Sequence, residues 1–134
     1  MKQRTFAMIK PDAVSAGYTG QIIELIERNG FAILDMYKTT LSKQAVEVFY
    51  AVHKERSFFG EMVDFVISGP VILLALEKEN AIADWRTLIG ATDPVKASVG
   101  TIRKQYGKNV GSNAVHGSDA SETAEQELRL FFPN

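Results

Sequence analysis

The sequence contains no cysteine in its 134 residues. This absence excludes disulfides and thiolate metal sites, and it is compatible with a reducing compartment, so we expect a cytoplasmic protein. Long apolar segments are also missing, because the longest apolar run, residues 71–76, is far too short to cross a bilayer. The first residues contain no apolar stretch of the length that a signal peptide needs. We therefore expect neither secretion by that route nor a membrane-spanning segment.

A strong charge of either sign is missing as well. The 15 Lys and Arg residues oppose 16 Asp and Glu residues, which leaves a formal net charge of -1 at pH 7. Such a surface has no general attraction for nucleic acid or for an anionic membrane, so we predict neither as a specific partner. Apolar residues at 46% and charged residues at 23% are typical of one globular domain, which we expect to span residues 1–134.

No phosphate-binding loop can be found in the sequence, neither the Gly-x-x-x-x-Gly-Lys-Ser/Thr type nor the kinase type. A phosphate site would therefore have to be built from side chains. Lys10, Arg86 and Arg103 are candidates, because they lie at element ends or in loops and a guanidinium pairs well with phosphate oxygens. Taken singly, each of these cations is more often only a surface charge.

Hydrophobic patterning predicts alternating strands and helices. Short apolar or β-rich runs indicate strands at 5–9, 31–41, 71–76 and 113–116. Helical spacing and chain breakers indicate helices at 20–29, 42–52, 58–67, 80–90 and 121–130, with N-caps at Ser42, Asn80 and Ser121. Residues 91–112 have little periodicity and are predicted as a long ordered loop. This order suggests an α/β or α+β sheet covered by helices, and a ferredoxin-like βαββαβ core with an antiparallel sheet is one solution.

The two histidines have different surroundings. His53 lies in a charged stretch, which is typical of a solvated surface residue, and we assign it no role. His116 lies between a predicted strand and the turn 117–119, where α/β proteins often display reactive side chains. On position alone, a functional histidine and a hydrogen-bonded turn histidine are equally good interpretations. Ser118 is too close in sequence to make a hydrolytic triad a strong case.

The segment 113–119, Asn-Ala-Val-His-Gly-Ser-Asp, resembles the active-site signature of nucleoside diphosphate kinases. Further segments match motifs of that family in the same order, at 5–12, 56–59, 68–70, 90–94 and 100–103. Together they span nearly the whole chain, which is much more specific than one short motif. The resemblance implies an α+β fold and reversible transfer of the γ-phosphate from a nucleoside triphosphate, typically ATP, to a nucleoside diphosphate by a ping-pong mechanism.

The same resemblance implies roles for individual residues. His116 would be the nucleophile that carries the phosphate as phosphohistidine, which agrees with an imidazole that is partly unprotonated near neutral pH. Substrate binding would involve Lys10, Phe58, Arg86, Thr92, Arg103 and Asn113. Supporting contacts would come from Tyr50, Val110, Ser118 and Glu127, of which Glu127 would orient the imidazole directly or through Ser118.

Nucleotide contacts and the cofactor follow from the resemblance too. Phe58 would stack on the base with Val110 on the opposite side, and stacking is largely indifferent to base identity, so we expect broad base specificity. Lys10 and Asn113 would reach the sugar hydroxyls, and ribose and deoxyribose would both be accepted. Mg²⁺ would bridge the phosphates and be held mainly through them, with no metal ligands from the protein.

Three positions depart from the family's pattern. Ala120 occupies a position where many members carry another serine, Val99 replaces a frequent proline, and Asp93 stands where asparagine is common. None of these residues belongs to the implied catalytic set. The chain ends at Asn134, whereas longer members extend a C-terminal segment across subunit contacts. Because the family builds dimers that associate into tetramers or hexamers, we expect a homo-oligomer, and a dimer or tetramer rather than a hexamer.

Two other interpretations compete with this one. A non-catalytic ferredoxin-like binding module would use the same core, with His116 as a turn residue only. Such a module would not need Lys10, Arg86 and Arg103 together with His116. A hydrolase or a phosphorelay component would instead pass the phosphate to water or to a protein aspartate. The implied base and sugar contacts favour a nucleotide as the acceptor.

Overall fold

Four strands make one sheet in the computed structural model, which describes residues 2–133. They are β1 (Lys2–Ile9), β2 (Ala32–Thr39), β3 (Val71–Glu79) and β4 (Val115–Gly117). Their order is β2-β3-β1-β4, and every neighbouring pair is antiparallel. The α+β class and the ferredoxin-like core with an antiparallel sheet are therefore confirmed.

Helices connect the strands and cover the sheet. They are α1 (Pro11–Ser15), α2 (Thr19–Arg28), α3 (Lys43–Phe49), α4 (Phe59–Val66), α5 (Ala81–Ile89), α6 (Ile102–Tyr106) and α7 (Ser121–Phe131), with a 3₁₀ helix at Ala51–His53. Proline is favoured at the first helical position, where its fixed φ suits the helix and no N–H is needed, and α1 starts this way. Within residues 2–133, none of the helices combines the length and the apolar character that a membrane crossing requires.

The central strand β1 is apolar along most of its length because both faces of the sheet are buried. Ala7 and Ile9 belong to one core, and Phe6 and Met8 belong to the other. This division follows from the alternation of side chains along a strand. The short strand β4 lies beside β1, with His116 paired to Met8. The buried end of β1 thus fixes the backbone of His116.

The predicted strands are present, but two of them are longer than predicted. Strand β1 begins at Lys2 and β3 continues to Glu79, and these polar ends pair with each other in the ladder. Apolar patterning could not reveal them, because their side chains lie outside the buried core. Helix α3 ends at Phe49, before the predicted end at 52, because the chain turns there into the 3₁₀ helix.

The N-cap predictions had mixed outcomes. Ser42 caps α3 as predicted, and its side chain accepts a hydrogen bond from a first-turn N–H at 3.1 Å. Asn80 occupies the N-cap position of α5 as predicted, but it has a φ of 57° and its side chain makes no cap hydrogen bond. Ser121 is not the cap, since it is the first residue of α7. Its place is taken by Ala120, whose N–H donates to the Thr123 hydroxyl at 3.0 Å.

The predicted loop 91–112 contains a helix that sequence periodicity missed. Helix α6 has only 5 residues, too few to show a helical period, and the Thr101 side chain caps it by accepting the Lys104 N–H at 3.3 Å. Gly90 ends the preceding helix α5 with a φ of 92°. A Cβ atom at this position would come within 2.6 Å of the Thr101 side chain, so glycine is required there. This close approach brings α6 against the end of α5.

Candidate active site

An open cavity of about 770 Å³ lies beside β4 and the ends of several helices. Every site residue that the resemblance implied lines it, except Ser118, which lies behind Glu127. The cavity wall holds Lys10, Tyr50, Phe58, Arg86, Thr92, Arg103, Val110, Asn113, His116 and Glu127. His53, to which we assigned no role, also lines the cavity, as do Phe49 and Met62. Side chains from most of the chain therefore meet at one place.

The imidazole of His116 is oriented by a carboxylate from α7. Its Nε2 atom lies 3.2 Å from Oε1 of Glu127, which also accepts a hydrogen bond from the Ser118 hydroxyl at 2.6 Å. Because a carboxylate only accepts, Nε2 carries the hydrogen in this contact. The lone pair of the neutral ring is then on Nδ1, for which residues 2–133 provide no hydrogen-bond partner. Such a ring nitrogen is suited to act as a nucleophile.

Burial lowers the pKa of His116 below its usual value. The hydrogen bond and the negative charge of Glu127 oppose this decrease. The positive charges of Lys10 and Arg103 add to it, because they disfavour a second cation nearby. The ring is therefore mainly neutral near pH 7, which is the form that a nucleophile needs.

Packing fixes the histidine ring and its backbone. The ring centroid of Phe49 lies 4.8 Å from that of His116, in an edge-to-face arrangement. The Trp85 indole N–H donates to the His116 carbonyl at 3.3 Å. A Cβ atom at Gly117 would come within 2.6 Å of the Trp85 ring, so the indole can approach only a glycine here. The residue after His116 thus has to be small.

Arg103 extends from α6 under the backbone of the site. Its two terminal nitrogens donate to the Gly90 carbonyl at 3.3 Å and to the Val115 carbonyl at 2.9 Å. Burial and the charge of Arg86 lower the pKa of Arg103 to about 10, which leaves it charged at neutral pH. A guanidinium that is anchored before substrate arrives provides a preorganised positive charge.

Lys10 lies at the end of β1 and contacts the segment before β4. Its ammonium donates to Oδ1 of Asn113 at 2.8 Å, and the Asn113 amide nitrogen donates to the Thr92 carbonyl at 3.1 Å. Burial, followed by the charge of Arg103, lowers the pKa of Lys10 to about 8. Lys10 is therefore still mainly protonated at pH 7. Three residues from distant segments form one hydrogen-bonded chain on the cavity wall.

Between Asn113 and Val115 the backbone makes a strained turn. The Val115 N–H donates to the Asn113 carbonyl at 2.9 Å, and Ala114 between them has a φ of 75°. This is a γ-turn of the rare type, with a left-handed central residue. For an alanine the left-handed region costs about 1–2 kcal/mol. Alanine gives no signal of a positive φ, so this turn could not be predicted from the sequence.

Apolar side chains occupy another part of the wall. Phe58, which precedes α4, is 42% exposed, and Val110 is 56% exposed. The His53 ring centroid lies 6.0 Å from that of Phe58 and 6.3 Å from that of Tyr50. Burial raises the pKa of Tyr50, so its hydroxyl keeps its proton and can donate. The cavity therefore combines exposed apolar surface with cations and a hydroxyl donor.

A neutral, oriented imidazole among cations, next to exposed apolar side chains, defines an enzyme site for an anionic substrate that also has an apolar part. The family model for nucleoside diphosphate kinase matches residues 3–134. The chain belongs to the nucleoside diphosphate kinase family, and it is a phosphotransferase of that kind, as its sequence predicted.

Individual relatives agree with this membership. Nucleoside diphosphate kinase of Trichlorobacter lovleyi is 57% identical over 130 residues, which cover 97% of this chain and 94% of that protein. The enzyme of Chlorobaculum tepidum is 53% identical over 130 residues, covering 97% and 93%. The Aquifex aeolicus structure matches with a TM-score of 0.96 at 38% identity over 98% of this chain and 96% of that one. A Halobacterium salinarum enzyme in complex with CDP matches with a TM-score of 0.96 at 37% identity, covering 100% and 90%.

Proposed function

We propose that this kinase moves phosphate by a ping-pong mechanism through a phosphohistidine at His116. The observation that carries the proposal is the contact of His116 Nε2 with Glu127 Oε1 at 3.2 Å, which leaves the Nδ1 lone pair available. In the first step Nδ1 attacks the γ-phosphorus, and the bond to the β,γ-bridging oxygen breaks with its electron pair. The nucleoside diphosphate leaves, and Glu127 stabilises the positive charge of the phosphorylated ring. In the second step a terminal oxygen of another nucleoside diphosphate attacks the phosphorus and regenerates the neutral ring.

The cations of the cavity bind and neutralise the phosphates. Phosphoryl transfer depends mainly on alignment and on stabilising charge on the equatorial oxygens. We assign this role to Arg86, Arg103 and Lys10, with the Thr92 hydroxyl as an additional donor. Their support is position, since all four line the cavity that holds His116. Tyr50 lies on the same wall, and its hydroxyl, which keeps its proton, is able to donate to a phosphate.

The rest of the nucleotide would occupy the other part of the cavity. Phe58 and Val110 supply exposed apolar surface for the base, and Lys10 and Asn113 supply polar groups for the sugar hydroxyls. The CDP bound to the Halobacterium salinarum relative supports a nucleotide as ligand. Because stacking does not depend on base identity, purine and pyrimidine nucleotides should both react.

Magnesium is the cofactor that we propose. Within residues 2–133, no three His, Cys, Asp or Glu side chains converge where they could hold a metal. The cavity wall carries the carboxylates of Glu61, Asp119 and Glu127 among its cations. Separate carboxylates of this kind suit an Mg²⁺ ion that is held mainly by nucleotide phosphates. This ion commonly keeps waters and substrate phosphates as ligands. When bound, Mg²⁺ supplies charge neutralisation at the phosphates.

We also propose a homo-oligomer, a dimer or tetramer rather than a hexamer. Strand β2 is an edge strand, and its exposed side chains include Leu34 at 45%, Met36 at 44% and Tyr37 at 38%. An edge with free backbone groups and apolar side chains is suited to pair with a second chain. Sedimentation of the wild type and of Met36→Lys tests this, and a monomeric wild type would contradict it. The cytoplasmic location stays a prediction.

The test of the mechanism is labelling with γ-labelled ATP and Mg²⁺, followed by a chase with GDP. We expect acid-labile, base-stable label on the protein that moves to GTP. His116→Ala should take up no label, whereas His53→Ala, which removes the only other histidine, should still be labelled. Label lost to free phosphate would indicate a hydrolase, and exchange retained by folded His116→Ala would contradict the mechanism.

A further inference from the structure

Asp12 has no role in the mechanism above, yet its carboxylate reaches the backbone beside the site. Its Oδ2 atom accepts a hydrogen bond from the Ala114 N–H at 3.0 Å. On the other side, the Ala114 carbonyl accepts from the Lys10 N–H at 2.8 Å. Ala114 itself is fully buried. The segment 10–12 therefore satisfies both backbone polar groups of one buried residue.

These two hydrogen bonds matter because Ala114 is the central residue of the strained turn. An alanine avoids a φ of 75° unless its surroundings impose it. Without the Asp12 carboxylate, the Ala114 N–H would be buried with no partner. Ala114 could then relax to a negative φ, which would remove the strain. The same rotation would let its N–H turn toward another acceptor. The bond to Asp12 thus opposes the main way in which the turn could relax.

The turn separates two residues of the proposed mechanism. Asn113 precedes it and contacts Lys10, while His116 follows it by two residues. We propose that Asp12 is a positioning residue, whose hydrogen bond to the Ala114 N–H keeps the strained turn and thereby sets His116 relative to Asn113. This inference rests on the proposed function, because the distance that Asp12 maintains is the one between the sugar-binding amide of Asn113 and the attacking imidazole of His116.

Asp12 also acts on Lys10 through its charge, because the Asp12 carboxylate raises the pKa of Lys10 against the effect of burial. The two effects can be separated by substitution. Asp12→Asn keeps an acceptor oxygen of the same shape and removes the charge, whereas Asp12→Ala removes both. Glycine adopts a positive φ without steric cost, so Ala114→Gly should restore the turn where Asp12 is missing.

The experiment is single-turnover phosphorylation of His116 by γ-labelled ATP with Mg²⁺, measured by rapid quench. The variants are Asp12→Asn, Asp12→Ala and Asp12→Ala/Ala114→Gly, with Ala114→Gly as the reference for the effect of glycine itself. We expect Asp12→Ala to slow phosphorylation on the order of 100-fold, as a misplaced reacting group does. Asp12→Asn should lose much less, and the double variant should recover most of the rate. Melting temperatures, measured in parallel, show whether each rate was measured on protein that is still folded.

Three results would overturn the proposal. They are a wild-type rate in Asp12→Ala, an Asp12→Asn rate as low as that of Asp12→Ala, and no recovery in the double variant. The second result would assign the effect to the charge at Lys10. If Asp12→Ala does not fold, the double variant must restore both the fold and the rate, or the proposal fails. Wild-type protein without label on His116 would contradict the proposed function itself, before any Asp12 variant is compared.

Discussion

Glu127 lies 3.2 Å from Nε2 of His116 and accepts the Ser118 hydroxyl with the same oxygen atom. The bond and the charge of Glu127 both raise the pKa of His116, against burial. In Glu127→Gln the charge is gone, so the pKa of His116 should fall further. We expect the acid limb of the phosphorylation rate to move to lower pH, and the plateau rate to drop on the order of 100-fold through poorer orientation. Rapid-quench rates measured from about pH 4.5 to about pH 8 would give both the position of the acid limb and the plateau rate. An acid limb that moves to higher pH would contradict the assigned roles.

The stability of the protein should depend on the protonation of His116. Its pKa in the folded state is below the unfolded value of about 6.5, so the unfolded chain binds the proton more strongly. The free energy of unfolding should therefore be highest above about pH 6.5 and decrease as the pH falls toward the folded pKa. His116→Gln should lose this part of the dependence. Denaturant titrations of both proteins across this range test the sign, and an identical dependence would contradict it.

Lys10 should limit the reaction at alkaline pH. Its pKa of about 8 means that the free enzyme loses this positive charge as the pH rises above neutral. We expect kcat/KM to fall above about pH 8, while kcat changes less, because bound phosphates keep the ammonium protonated. In Lys10→Arg the guanidinium stays charged, and the alkaline limb should disappear even if the rate is lower. Persistence of the same limb in Lys10→Arg would assign it to another group.

Phe58 should contribute to the binding of every base. Phe58→Ala removes the ring and should weaken nucleotide binding by about 1–3 kcal/mol, because a stacked base contributes roughly this free energy. The weaker binding should appear as a higher KM. The increase should be similar for ADP and CDP as acceptors. Val110→Ala, which trims a smaller side chain of the same wall, should have a smaller effect. An effect confined to one class of base would contradict a stacking role.

Gly117 should tolerate no larger residue, because its Cα hydrogen faces the Trp85 ring at a distance that excludes a Cβ atom. Gly117→Ala should lower the free energy of unfolding by about 1–3 kcal/mol and slow phosphorylation, since it displaces the backbone of His116. Gly20→Ala is the matched control, because a Cβ atom there would meet nothing within 4 Å and the residue lies in α2. That variant should gain about 0.5–1 kcal/mol from helix propensity. Equal effects of the two substitutions would contradict the packing argument.

Much of the architecture could be predicted because its buried strands leave a direct trace in the sequence. The apolar runs at 5–9 and 71–76 lie in β1 and β3, whose two covered faces require them. Helices α1 and α6 were missed because they have only 5 residues each, less than two helical turns. Asn80 lies at the predicted N-cap without a side-chain cap, because its type suits both an N-cap and a left-handed residue, and the structure uses the second property.

The composition of the candidate site could be predicted only through its motifs, which give residue types in order and no distances. Nothing in the sequence indicated that Asp12 reaches Ala114, because 102 positions separate them and the turn at Ala114 contains no glycine. His53 was interpreted from its charged neighbours, and these do not reveal that its ring packs on Tyr50 and Phe58. Long-range contacts and backbone strain are set by tertiary structure, so they had to be observed.

The pairing of β1 with β4 has a consequence for synthesis of the chain. Strand β1 leaves the ribosome before β4, which carries His116 and completes its ladder, and before α7, which carries Glu127. A chain that has emerged only as far as β4 can place His116 opposite Met8, but it lacks the Glu127 carboxylate. A nascent chain would thus be unable to take phosphate from a triphosphate until both β4 and α7 have emerged and folded.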